Sequence, residues 1–156
     1  MRPSARFPTL EMRIADVCTR MDDGITVAAL YASLLAMLQR LRRGNQRWRV
    51  YAGMLIDENR WRAQRYGFSE GLVDFGRGAI VGYPELLEEM IAMIGAEADV
   101  LGCRAEVERA RDIVSRGTSA HRQRAVYEEA RLGGADSTEA MRAVVDWLIA
   151  ETKAGL

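Results

Sequence analysis

Glu11 and Arg13 stand two residues apart in a segment that alternates Leu10, Met12 and Ile14 with polar neighbours. Alternation of this kind predicts a strand over residues 8–17 with one apolar face. Side chains two apart on a strand share a side, about 7 Å apart by the strand rise, so a carboxylate and a guanidinium face the same way. A carboxylate suits a hard cation such as Mg²⁺, and guanidinium groups spread the charge that develops in phosphoryl transfer. The plainer alternative is a surface ion pair, because this spacing in a strand is common. Asp16 lies on the opposite parity unless the strand bends or ends before it.

A second set of candidates follows. Arg40, Arg42, Arg43, Arg47, Arg49, Arg60, Arg62 and Arg65 are interleaved with Trp48, Tyr51, Trp61 and Tyr66, a mixture that could also stack on single-stranded nucleic acid. Balanced charge weighs against that, since 22 basic residues meet 22 acidic ones. The balance is uneven along the chain: residues 1–67 carry a net +6 and residues 68–156 a net −6. Trp61 reads as a core residue more readily than as a ligand platform, and Met90 and Met93 as core filler. The single histidine, His121, excludes designs with two imidazoles; its place among Arg122 and Arg124 suits a surface or capping role. There is no nucleophile-elbow pattern and no Walker-type phosphate loop. Cys18 and Cys103 fit no metal spacing and read as reduced structural thiols of a cytoplasmic protein.

These residues need elements to position them. With 49% apolar and 28% charged residues, the 156-residue chain can bury a core as a single unit, 1–156. Asp22 or Asp23 is placed to cap a helix through Leu41, with an apolar stripe of Ile25, Ala28, Ala29, Leu34, Leu35, Leu38 and Leu41. Its apolar run, residues 25–38, reads as too short and too bounded to span a bilayer, and no signal peptide precedes it. A turn at Gly44-Asn45 leads to a helix over 48–66 that Gly67 stops. Residues 72–75 and 79–82 flank Gly76-Arg77-Gly78 as a hairpin. Pro84 opens a third helix with a stripe of Leu87, Met90, Ile91 and Ile94. Three more are expected over 104–115, 119–131 and 137–153, the last opened by Asp136 with Glu139 in capping-box register. The fold class is α+β, predominantly helical, with about six helices, one active-site strand and a small hairpin.

Three strings carry a resemblance: residues 2–16, reading Arg2-Pro3-Ser4-Ala5-Arg6-Phe7-Pro8-Thr9-Leu10-Glu11-Met12-Arg13-Ile14-Ala15-Asp16; residues 58–67, with Asn59, Arg62 and Arg65; and residues 142–148. Together with Gly117-Thr118-Ser119-Ala120-His121-Arg122-Gln123 they resemble the bacterial carboxylate-amine ligases of the type 2 glutamate-cysteine ligase family. The likeness runs over essentially the whole chain. It implies part of a glutamine-synthetase-like ligase fold. It also implies an ATP- and Mg²⁺-dependent enzyme that phosphorylates a glutamate-like carboxylate and lets a cysteine-like amine displace phosphate, forming an amide.

By that resemblance Glu11 is a metal ligand, Arg13 lies beside the transferring phosphoryl group, and Asp16 orients the site. Arg6, Asn59, Arg62 and Arg65 match positions expected to bind nucleotide or substrate. Ala15 stands where the family frequently has Cys, a small-for-small exchange of little expected effect. Members of the family are considerably longer, and their amino-terminal portion supplies further acidic ligands and a His-containing motif. The chain therefore resembles the carboxy-terminal portion only, to be completed by the missing half or by a second copy. The alternative, drawn from the +6/−6 division and an orphan strand, is a non-catalytic helical interaction module that kept the architecture.

Overall fold

Apolar side chains recurring at intervals of three and four carry most of the chain into helices. The computed structural model describes residues 2–154, and among these are seven α-helices and two two-stranded antiparallel sheets. β1 (Arg2–Pro3) pairs with β2 (Leu10–Glu11), with Arg2 opposite Glu11 and Pro3 opposite Leu10. After α1 (Met21–Arg43) and α2 (Gly53–Tyr66) comes the hairpin of β3 (Leu72–Asp74) and β4 (Ala79–Val81). Helices α3 (Tyr83–Leu101), α4 (Arg104–Glu108), α5 (Ala110–Arg116), α6 (Ser119–Leu132) and α7 (Ser137–Lys153) complete the order.

The core lies where α1 crosses α3, closed by α4 and α5. Its members are Ala29, Met37, Leu87, Ile91, Ile94, Ala98, Val107 and Ala110. Leu87, Ile91, Ile94 and Ala98 recur at four, three and four residues, so they form one stripe of α3. Burying a side chain such as that of Ile94, which is fully enclosed, contributes about 1.5–3 kcal/mol. α1 meets this stripe with Thr26, Ala29, Ser33 and Met37, the first three of them small, which lets the two backbones approach. Ser33 Oγ lies 3.6 Å from Cys103 Sγ, so a buried hydroxyl keeps a polar partner.

α6 and α7 pair with one another across the Gly133-Gly134 turn. Ion pairs tie the surrounding elements: Arg20 to Glu151 at 3.0 Å, joining the segment before α1 to α7, and Arg116 to Asp23 at 2.7 Å, joining α5 to α1. Asp136 caps α7, accepting from the backbone N–H groups of Thr138 and Glu139, while Glu139 accepts from the backbone of Asp136.

Several expectations need correction. The strand forecast over 8–17 is reduced to Leu10–Glu11, because the only partner it finds among the described residues is the two-residue β1, and alternation without a partner strand makes no ladder. Leu10 and Ile14, forecast for a buried face, are 52% and 77% exposed. Asp22 and Asp23 lie inside the first turn of α1 rather than capping it; Arg20 is the N-cap and gives no side-chain cap. The forecast stripe of α1 holds in part: Ala29 lies in the core and Leu34, Leu38 and Leu41 pack against it, while Ile25 and Ala28 are exposed and Thr26, Ser33 and Met37 take buried places outside the forecast. α1 is also long and apolar enough to cross a membrane by length and composition, although one side of it is packed against α3 and α4.

The helix forecast from residue 48 begins at Gly53. Trp48, Val50 and Tyr51 favour extended backbone, and Tyr51 reaches the hairpin, its ring 4.7 Å from that of Phe75. The single helix forecast over 104–115 divides at Arg109 into α4 and α5, with Val107 and Ala110 on either side of the bend both buried. Trp61, forecast for the core, is half exposed and packs edge-on against Tyr66 at 5.4 Å.

Candidate functional site

β2 ends at Glu11, and the chain beyond it, with no regular structure, places Arg13 against Glu11, the meeting that strand parity led one to expect. Arg13 Nε donates to Glu11 Oε2 at 2.9 Å, and a second guanidinium nitrogen lies 2.8 Å from the same oxygen. The Arg13 side chain is 63% exposed and that of Glu11 36%, so the pair lies at the surface. Arg6 occupies the β1–β2 turn, where Ser4 Oγ accepts from the backbone N–H groups of Arg6 and Phe7. Its guanidinium sits 5.3 Å over the Phe7 ring. The turn thus presents a second exposed cation on the hairpin that bears Arg13.

Asp16 follows in irregular backbone and accepts from the Val17 N–H at 2.8 Å. It lines a cleft of about 180 Å³ against the start of α6, with Thr118 and Ser119 on the opposite wall and Val27 and Ile113 between. Burial, and next the charges of Asp23 and Asp16, push the Cys18 thiol above its ordinary pKa. A thiol so placed stays protonated and is a poor nucleophile, in keeping with a structural role.

The α2 candidates face the other sheet. Asn59 donates to the Val73 carbonyl at 2.9 Å and accepts from the Val73 N–H at 2.7 Å, so its amide pairs with β3 as a neighbouring strand would. Arg62 is 9% exposed and donates to the carbonyls of Gly71 and Glu70 at 3.2 and 3.1 Å. It also lies over the Tyr66 ring, as does Arg65, with guanidinium carbons 5.6 and 5.8 Å from the centroid. Arg65 is exposed. The structure therefore brings Glu11 and Arg13 together at one hairpin, and Asn59 and Arg62 together at the other.

His121 takes the capping role its position suggested. Its Nδ1 lies 2.7 Å from Thr118 Oγ1 and 3.3 Å from the Thr118 backbone nitrogen, completing a capping box at the start of α6. The ring stacks on Phe68 at 5.4 Å, and Gly67, at φ +56°, leaves the space that its Nε2 fills. A Cβ at Gly67 would come within 2.9 Å of that nitrogen.

Sequence reasoning missed a groove of about 340 Å³ beside the Glu11–Arg13 hairpin. Met12, Ile14 and Trp48 form one wall and Leu34, Leu35 and Leu38 of α1 the other. The available signal was a surplus: α1 carries more large apolar side chains than one stripe of about 100° can bury.

Among the described residues no three His, Cys, Asp or Glu side chains group as metal ligands. Mg²⁺ takes about six oxygens, several of them often water or phosphate. Glu11 with a guanidinium at its carboxylate does not fit the ion by itself.

Compared with known proteins, residues 1–146 match the model of the glutamate-cysteine ligase family 2. A protein of Rhodospirillum rubrum named "Putative glutamate--cysteine ligase 2" is 64% identical over 156 residues, which is 100% of this chain and 40% of the relative. Proteins of the same name from Jannaschia sp. and Paracoccus denitrificans are 54% and 49% identical, covering 96% and 100% of this chain and 39% and 42% of their own lengths. The chain spans about two-fifths of the length of the curated relatives it matches. No solved structure matches it.

Proposed function

The chain belongs to the glutamate-cysteine ligase family 2, and on that premise we propose that it supplies part of the site of an ATP-dependent carboxylate-amine ligase. The observation that carries this reading is the carboxylate and guanidinium of Glu11 and Arg13, held 2.8–2.9 Å apart on one side of an exposed strand end. In the proposed reaction a glutamate-like carboxylate oxygen attacks the γ-phosphorus of ATP and the bond to the ADP oxygen breaks. The amine nitrogen of a cysteine-like substrate then attacks the acyl carbon, phosphate leaves with the bonding pair, and the nitrogen loses a proton to give the amide.

Arg13 serves that chemistry by donating to phosphoryl oxygens as their charge rises, an interaction stronger in the transition state than before it. Glu11 holds the guanidinium in register until phosphate competes for it. Asp16 orients the loop through the Val17 N–H. Arg6 and Arg65 offer exposed cations suited to phosphate, while Asn59 and Arg62 act as positioning residues through the β3–β4 hairpin. The residues present do not hold Mg²⁺ unaided, so the remaining oxygen ligands belong to the part of the family's chain that these 156 residues do not match, or to a second copy.

The test is co-expression of this chain with the unmatched part of the Rhodospirillum rubrum relative, followed by assay with Mg-ATP, glutamate and cysteine. Phosphate release matched by amide formation in mass spectrometry supports the reading. A stable assembly that forms no amide would overturn it and favour the second reading, a non-catalytic interaction module, for which the apolar groove speaks.

A further inference from the structure

Large apolar side chains exposed to water are uncommon in contiguous concave patches, and where they occur they mark surfaces that another body covers. The α1 groove is such a patch. Leu34 and Leu38 lean partly on the core, whereas Leu35 is not among the side chains packed there, and Ile14 and Trp48 on the far wall are 77% and 44% exposed. Met12 and Ile14 alternate with Glu11 and Arg13, so the segment that presents the ion pair lays its apolar side into the groove. β1 and β2 form a sheet of two strands, and each strand of such a sheet has an outer edge able to accept a further strand.

The occupant follows from length. This chain is matched end to end by relatives of which it covers only 40–42%, so some three-fifths of those relatives' length lies outside what is described here, a body large enough to cover the groove. A competing surface exists on α7, where Met141, Val145 and Ile149 are each about half exposed at four-residue spacing. Of that stripe only Met141 lines a cavity, one of about 290 Å³ between α6 and α7, and no strand edge adjoins it among the described residues. The groove is concave, adjoins an open sheet edge and reaches the candidate site, so a body seated there would also stand next to Glu11.

We infer that the groove formed by Met12, Ile14, Trp48, Leu34, Leu35 and Leu38 is the docking surface for the part of the glutamate-cysteine ligase family 2 polypeptide that this chain does not match. The inference rests on the proposed function only in taking its occupant from the same family. Docking buries the apolar side of residues 12–14 and thereby fixes the opposite side, where Glu11 and Arg13 stand. The hairpin that carries the ion pair is short, and seating it against a second body is what gives the pair a defined place.

The experiment co-expresses this chain with the unmatched part of the Rhodospirillum rubrum relative and measures assembly by size-exclusion chromatography with light scattering. A one-to-one complex is expected from the wild-type chain. Ile14→Asp is expected to weaken it at least tenfold, Trp48→Ala to weaken it as well, and Leu132→Asp, at an exposed position ending α6, to leave it intact. Circular dichroism of each variant separates lost docking from lost folding; Ile14 is exposed enough to be replaced without unfolding the core. Failure of the wild-type chain to form the complex, or wild-type binding by both groove variants, would overturn the inference. A homodimer of this chain dissolved by Ile14→Asp would also overturn it, by making a second copy the occupant. A complex that requires the groove yet makes no amide would leave this inference standing and remove the ligase reading.

Discussion

In an assembly that makes amide, replacing Glu11 or Arg13 by alanine should separate catalysis from folding. The pair is largely solvent-exposed, with side chains 36% and 63% open, and surface ion pairs contribute about 0–1 kcal/mol. A domain of this size shifts its Tm by about 2–4 °C per kcal/mol, so each variant should melt within about 4 °C of the wild-type chain. Its effect on turnover should be far larger. A donor aimed at developing charge is worth about 10²–10³-fold in kcat, and that loss is expected for Arg13→Ala in an assembly that makes amide. Arg13→Lys keeps the charge but loses the planar two-nitrogen fork, so it should fall between the wild type and alanine. The assay is phosphate release beside amide yield, with a thermal melt of each variant. Turnover within about threefold of wild type, far short of the expected loss, would refute the role. So would a melt lowered enough to account for lost activity by unfolding.

Other substitutions test the scaffold. Arg62→Met removes the buried donor to the Gly71 and Glu70 carbonyls; unmet buried groups cost about 1–3 kcal/mol, and a Tm unchanged by the substitution would show that water satisfies them. Asp136→Ala deletes the α7 cap and should cost about 1 kcal/mol, read as a lower midpoint in urea; an unmoved midpoint would mean that α7 is held by packing alone. The hydrogen bond from Arg40 holds the Glu97 carboxyl below the usual carboxylate range, against the upward pull of burial. A lowered folded-state pKa means that its stabilisation is complete above the unfolded value, about 4.3, and is lost as pH falls through the folded one. Thermal melts from neutral to acid pH should therefore fall less steeply for Glu97→Gln than for wild type, and parallel curves would contradict the assignment.

Which parts of the fold were legible followed from where their determinants lie. α7 was forecast to the residue because Asp136, Glu139 and the Gly133-Gly134 turn define its start within a few positions, and the stop of α2 at Gly67 and the β3–β4 hairpin were local in the same way. The strand over 8–17 failed because alternation describes one strand and a ladder needs two. The stripe of α1 was legible at Ala29, Leu34, Leu38 and Leu41, but not at Thr26 and Ser33, because periodicity marks apolar positions while the close approach of α3 also buries small polar ones. Trp61 illustrates the same gap, since an aromatic side chain reads as core until its neighbours are known. Within the candidate site, the meeting of Glu11 and Arg13 was readable from parity. The commitment of Asn59 and Arg62 to the β3 backbone was not, because nothing in either segment announces that one faces the other.

The site residues and the groove share a physical cause. Residues 12–20 hold little regular structure, and the sheet beside them is two residues wide on each strand, so the segment carrying Glu11, Arg13 and Asp16 draws little rigidity from its own ladder. Pre-organised catalysis requires the opposite, charged groups fixed before charge develops. The core reaches the floor of the groove through Met37 and Met93, but the wall that carries Met12, Ile14 and Trp48 stands outside it. The apolar alternation that failed to predict a long strand is then best understood as an unfinished one: Met12 and Ile14 already face Leu34, Leu35 and Leu38, and what they lack is a neighbour along the edge. On this argument docking and catalysis are one requirement. A substitution in the groove should reduce turnover through assembly, and one at Arg13 should reduce it with assembly intact.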